Sequence, residues 1–267
     1  MSMRIAGFLV FALLAFAVFS SAETYVVAHF PYGGGWGTRL LISNSSPTNS
    51  VSVEIDYFNQ AGQATSVPLD SGTGQVQTLT VPPNGTVTVT SDPTQRYVGN
   101  NPVVVNWATA TTPAGQPVNI LELFDFAPSS TSANLIGAAV GAASTAPGQS
   151  FRFPIVANGT TRFTASMAIA NPSAGAATIT LNLLGSDGSI KATSTVTLQP
   201  KAQTAVNLPG IPAFASFFST PGLFTGSLGV CSNVPIGFVA LGAEQSSAVS
   251  GSNVLYSVSV TTDYHCN

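Results

Sequence analysis

The chain has 267 residues, with 7 Lys or Arg against 10 Asp or Glu and a net charge of −3 at pH 7. Charged residues make up 6% of it, against roughly 25% in ordinary soluble domains. So few cations argue against nucleic acid, whose phosphates need clustered Lys and Arg, and against acidic membrane surfaces.

The chain opens on Met1-Ser-Met-Arg4, an apolar run from Ile5 to Phe19, and then Ser20-Ser21-Ala22. A basic start, a short apolar core and small residues before a cut predict a secretory signal peptide over residues 1–22, cleaved after Ala22. The run is short for a membrane span and no stop-transfer pattern follows, so no span is expected in the mature chain. The expected location is outside the cell, either secreted or held at the surface.

Tyr25 to Phe30 alternates weakly and predicts a first strand. Pro31 to Gly37 holds four glycines and a Pro that lacks the ladder donor, so it predicts a loop with Trp36 at its tip or base. Thr38–Ser43 and Val51–Phe58 are the next expected strands, with a polar turn between them. In the second, Val51, Val53, Ile55 and Tyr57 alternate with Ser52, Glu54 and Asp56, the pattern of a half-buried antiparallel strand. Pro82-Pro83-Asn84-Gly85 is a turn leading into Thr86–Thr90. Val103–Ala110, which carries Trp107, and Val118–Phe126 add two apolar strands. Residues 129–150, rich in Ala, Gly, Ser and Thr, read as a linker, with a short strand possible near Leu135–Val140.

From Phe151 the plan recurs. Strands are expected near Phe151–Val156, Thr164–Ala170, Ala177–Leu184, Ile190–Leu198, Thr204–Leu208, Leu223–Ser232, Pro235–Ala243 and Val254–Thr261. Pro209–Phe218 is the helical candidate of the mature chain. His29–Gln63 and Phe153–Ser189 align as two copies of one unit, each passing from Phe-Pro through a loop and a β run to an Asn, Asn44 or Asn171. Close strand spacing with Gly, Pro and Asn punctuation predicts an all-β chain of two tandem antiparallel immunoglobulin-like β-sandwich modules, residues 23–128 and 151–267.

HFPYGGGWGTRLLISNSS is similar to the "HFAxGGGWxT" opening of many secreted proteins of Acidobacteria and other soil bacteria. The second half, with GTTRFTASMAIANPS and FTGSLGVCSNVPIGFVALGAEQ, resembles their companion "GxAIANPS" module. The resemblance covers nearly the whole mature chain and implies an exported pair of β-sandwiches without implying an activity. Cys231 departs from it, standing where that group has a small residue or Thr.

Two cysteines, Cys231 and Cys266, in an exported chain read as a disulfide; no C-x-x-C spacing suggests a reactive or metal-binding pair. The histidines, His29 and His265, have no acidic or His neighbour at ligand spacing, and there is no G-x-S-x-G elbow or H-E-x-x-H. Glu54 with Asp56, and Glu122 with Asp125, are paired carboxylates, but solvated strand faces explain both pairs. Asp187 is an isolated turn acid, so neither a metal site nor a cofactor is expected. Asn44-Ser-Ser46, Asn84-Gly-Thr86 and Asn158-Gly-Thr160 match the glycosylation pattern and are equally well turns.

The leading expectation is therefore a non-enzymatic exported protein with a structural, adhesive or matrix role, with cell-surface components or its own copies as partners. The alternative is a carbohydrate-binding protein for extracellular polysaccharide. There Tyr32, Trp36, Arg39 and Asn44 would form a polar-aromatic patch at the glycine loop, against the plainer reading of Trp36 as a lid on the core. A hydrolase comes last.

Overall fold

The computed structural model describes residues 21–96, 102–126, 138–144, 146–158, 163–219, 222–245, 253–262 and 264–266. Residues 1–20, most of the expected signal peptide, lie outside them. The chain is all-β, and every paired ladder among the described residues is antiparallel. Helix among those residues is confined to α1 (Ala215–Ser219), in the expected place, and to short 3-10 turns at Pro93–Arg96 and Leu208–Gly210.

The first half runs through β1 (Glu23–Tyr32), β2 (Trp36–Asn44), β3 (Val51–Asn59), β4 (Val67–Leu69), β5 (Gly72–Gly74), β6 (Val76–Val81), β7 (Thr86–Thr90), β8 (Val104–Thr112), β9 (Val118–Phe126) and β10 (Ala138–Ser144). One four-stranded sheet has the order β1-β8-β3-β6 and a second the order β10-β9-β2-β7. Period-two alternation decides which side of each strand is dry. On β3, Val51, Val53, Ile55 and Tyr57 are buried while Ser52 and Glu54 are exposed. Those four meet Val27 and Phe30 of β1, Leu40 and Ile42 of β2 and Ile120 of β9 in one core, so the two sheets face each other across it.

Residues 138–144 fall inside the stretch expected to be linker, yet they pair with β9 as β10. The short strand anticipated near Leu135–Val140 overlaps β10 at Ala138–Val140, and its first three residues lie outside the described set. Ala138-Ala-Val-Gly-Ala-Ala is weak in β-branched and aromatic residues, so its strand character comes from a paired neighbour and not from its own composition.

The second half holds β11 (Gly148–Ala157), β12 (Phe163–Ala170), β13 (Ala177–Gly185), β14 (Ile190–Leu198), β15 (Gln203–Asn207), β16 (Phe224–Gln245) and β17 (Asn253–Ser257). β16 is long because it serves two layers. Residues from Phe224 to Ser232 pair with β11 and β13, and residues from Gly237 onward pair with β12 and β17. β14 lies on β13 and β15 on β12. These pairings repeat those of the first half: β11, β13 and β14 stand as β1, β3 and β6 do, and β12, β15 and β17 as β2, β7 and β10 do. The single β16 takes the places of both β8 and β9. Phe151, Phe153, Ile179, Leu181, Val230 and Phe238 fill this second core, joined by Phe214 and Phe218 from the segment that holds α1.

Each half closes one corner with a buried Asn. Asn44 is 3% exposed; its Oδ1 accepts from Ser46 N, and its Nδ2 donates to the carbonyls of Asn49, Val81 and Pro82. Asn171, wholly buried, does the same with Ser173 N and the carbonyls of Gly175, Leu198 and Gln199. A short side chain with one acceptor and a two-proton donor is what such a corner needs, because every strand end brought indoors must find partners.

The halves are joined by a third, smaller apolar cluster: Val26, Ala28 and Trp107 from the first, Ala168, Ala170 and Val239 from the second, with Phe58 packed on it. Phe58 stacks on Trp107 at 4.6 Å between ring centroids, and Lys201 Nζ sits 5.7 Å over the Phe58 ring, a cation–π contact. Gln203 is buried in this joint. Its backbone N donates to Gln60 O, its Oε1 accepts from Gln60 Nε2 at 3.1 Å, and its Nε2 donates to Ala28 O at 3.2 Å. Two glycines make the approach possible. A Cβ on Gly237 would overlap the Val26 side chain, and one on Gly62 would overlap the Lys201 backbone.

Cys231 and Cys266 form the expected disulfide, 35 residues apart in sequence. It holds the C-terminal tail against the outside of the second half. Tyr264 lies on Gly229 there and accepts from Asn182 Nδ2, while Thr261 exchanges two backbone hydrogen bonds with Arg152.

Candidate functional site

The glycine loop is a passage between sheets. β1 belongs to one sheet and β2 to the other, and the chain crosses by a turn in which Trp36 N donates to Gly33 O. Gly33, Gly34 and Gly35 all have positive φ (78°, 57° and 92°), a left-handed run that side chains resist. The glycines are thus needed to turn the corner, and Trp36 emerges as the first residue of β2.

The patch expected from Tyr32, Trp36, Arg39 and Asn44 is not brought together. Tyr32 is half-buried against the first core. Asn44 spends its carboxamide on the corner described above. Trp36 and Arg39 lie an odd number of residues apart on one strand and so on opposite faces. On its own face Arg39 pairs with Asp125 at 3.5 Å, and Arg96 pairs with the same carboxylate beside Gly37.

Trp36 stands apart from the other three, at the edge of the joint. Its ring packs on Phe126, its cross-strand partner, with centroids 5.0 Å apart, and it remains partly exposed. The exposed part borders a cleft of about 350 Å³ between the two halves, which is within the usual size of small-molecule pockets. The first half contributes Trp36 and His29; the second contributes β12, β15 and β16.

His29 reaches the cleft through a β-bulge. The β1–β8 register runs Val27↔Ala108 and then Phe30↔Asn106, so Ala28 and His29 together oppose Trp107. Strict alternation would send His29 inward with Val27. The extra residue lets Ala28 enter the joint and His29 line the cleft, while Phe30 returns to the core. The imidazole packs on Phe124 at 5.4 Å, and its Nδ1 is buried without a hydrogen-bond partner. Burial holds its pKa down at about 4, so the ring is neutral at neutral pH.

The facing wall is built in rows across β15, β12 and β16. Gln203, Ala170 and Gly237 form the row sealed in the joint; Ala205, Ala168 and Val239 form the next; Asn207, Ser166 and Leu241 form the outermost, at the mouth. Small side chains close the joint, and polar ones begin where it opens. Asn207 is exposed at the end of β15, at the N-terminal edge of a 3-10 turn, and makes no side-chain cap bond to it. The lining thus offers an indole, aliphatic groups, a neutral imidazole, a hydroxyl and a carboxamide, with no carboxylate or cation among the lining residues.

Of the four acids singled out as pairs, Glu54 and Asp56 lie on the wetter face of β3, as a solvated face requires. Glu122 and Asp125 correct the same reading: they are 1% and 7% exposed. Glu122 follows the inward alternation of Val118 and Ile120, and Asp125 is enclosed by Arg39 and Arg96. Asp187 is a turn acid, its Oδ1 accepting from Ser189 N and Oγ. Among the described residues no group of three or more His, Cys, Asp or Glu side chains is placed to hold a metal ion, and no helix is long and apolar enough to cross a membrane. His265 is exposed in the tail.

The cleft was not legible as a site beforehand, since all of its lining except His29 and Trp36 comes from strands more than a hundred residues further along the chain. One local signal existed: His29-Phe-Pro breaks the alternation of β1 where the bulge falls.

Residues 127–215 match a family of unknown function, DUF5719. The matched stretch runs from the residue after β9 to the start of α1, so it includes the Asn171 corner and the β12 and β15 walls of the cleft. None of the curated proteins and none of the solved structures matches the chain.

Proposed function

We propose that the protein is an exported, non-enzymatic structural or adhesive component of the cell surface or matrix, made of two tandem immunoglobulin-like β-sandwich modules. In this reading it belongs with the secreted soil-bacterial proteins that its glycine-loop and "AIANPS" motifs resemble. The observation that carries the reading is the joint. Val26, Ala28, Trp107, Ala168, Ala170 and Val239 pack as one cluster, and Gln203 is hydrogen-bonded to both Gln60 and Ala28. Two modules fixed in this way act as one stiff body, suited to spanning or bearing load at a surface. The recurrence of the same strand pairings in each half supports the tandem reading, and the Cys231–Cys266 disulfide suits an oxidising compartment. The test is retention of the mature chain, Glu23 to Asn267, on cell envelopes of the producing organism in a depletion assay. Retention on envelopes, or on its own copies, supports the proposal; a protein that stays in solution as a monomer overturns it.

A second reading, carbohydrate binding, is favoured by one observation: Trp36 is partly exposed and borders a cleft that polar groups share.

A further inference from the structure

We infer that the cleft between the two halves, bounded by Trp36 and His29 on one side and Ser166, Asn207 and Leu241 on the other, is a binding site for the ring of a neutral sugar. The inference rests on the carbohydrate reading above and moves its site from the glycine loop to the joint.

Three features point to that ligand class. The lining is uncharged, so nothing in it selects an acid, a phosphate or an amine. Its apolar part is an indole beside aliphatic groups, and a pyranose presents a C–H face that covers such a surface while its hydroxyls reach the rim. Its polar part consists of His29, Ser166 and Asn207. His29 brings an imidazole to the wall of the cleft. Asn207, at the mouth, leaves its carboxamide unused as a cap, and Ser166 stands opposite it in register. A carboxamide, a hydroxyl and a neutral imidazole both give and accept hydrogen bonds, as sugar hydroxyls do.

The site exists only because the halves are docked. The bulge at Ala28–His29 and the shrinking side chains from Leu241 through Val239 to Gly237 open one end of the joint while the other stays sealed. A ligand seated there touches both modules, so its binding also clamps them together.

The test uses the mature chain, Glu23 to Asn267, titrated with glucose, N-acetylglucosamine, cellobiose, glucuronate and phenol, read by tryptophan fluorescence and calorimetry. Variants Asn207→Ala and Ala205→Phe accompany it; both positions are exposed on β15, so both variants should fold, which a thermal melt checks. The expected result is millimolar or tighter binding of at least one neutral sugar, weakened about tenfold by Asn207→Ala and abolished when Ala205→Phe fills the cleft. Sugar binding that both variants leave unchanged overturns the cleft as the site while leaving carbohydrate binding intact. Binding of no neutral sugar overturns both, as does a preference for glucuronate or phenol.

Discussion

Asn44 and Asn171 occupy the same corner of the two halves and make the same set of hydrogen bonds. Each carboxamide donates to two successive carbonyls at the end of a strand outside its own hairpin, Val81 and Pro82 in one case, Leu198 and Gln199 in the other. Each accepts from the backbone N two residues on, Ser46 or Ser173. Repetition at this level of detail ties the two halves together more closely than their composition does, since an alternating strand is common and this corner is not.

Asn44→Ala and Asn171→Ala should each cost about 2–4 kcal/mol, because each strands buried carbonyls and a backbone N–H together. Asn→Asp at either position should do no better, since a carboxylate has no N–H to give. Urea denaturation of the two series checks this, and an Ala variant as stable as the parent contradicts the corner's role.

Stability should depend on pH through His29. Its folded pKa of about 4 lies below the ordinary 6.5, so between those values the unfolded chain binds the proton that the folded chain refuses. Above pH 6.5 both states are neutral there and the residue has no effect. As pH falls from 6.5 to 4 it should withdraw stability, by on the order of 3 kcal/mol at most, and below 4 the loss levels off. The difference between parent and His29→Gln melts across that window isolates this contribution from that of the carboxylates. A difference independent of pH counts against it.

Gly237→Val should loosen the joint. The added side chain would overlap Val26, itself buried in the cluster that joins the halves, and overpacking of this kind costs about 1–3 kcal/mol. Trp107, fully buried and stacked on Phe58, then reports the change as a red shift in its emission. Unchanged emission and unchanged stability would mean that the halves do not press on each other there.

Cys231→Ser with Cys266→Ser should cost about 3–4 kcal/mol on the chain-entropy account of a 35-residue loop. The loss should fall first on the tail. Thr261 keeps its pair with Arg152 and Tyr264 its contact with Gly229, so the tail should remain docked there at low temperature and become the earliest protease target on warming. Mass spectrometry of the first cleavage products decides it.

Much of the architecture was legible residue by residue. Val51 to Tyr57 alternates so regularly that its strand and its dry face follow from period two alone, and the Asn, Ser and Pro ahead of each copy align it with Ala177–Leu183. The two cysteines and the turns at Asn84 and Asp187 were equally plain. All of these depend on neighbours a few residues away, or on a pairing with no competitor. The site was different. Asn44 looked available for a ligand because two of its three acceptors, 37 and 38 residues distant, cannot be seen from position 44. Glu122 and Asp125 read as solvated, although one follows an inward strand face and the other is enclosed by two arginines. His29 and Trp36 are brought beside Ser166 and Asn207 only by the packing of one half on the other. Alternation is written into the chain because side chains leave a strand on fixed sides. The docking of one twisted sheet on another depends on bulges, small residues and distant partners acting together, and only the tertiary structure holds those at once.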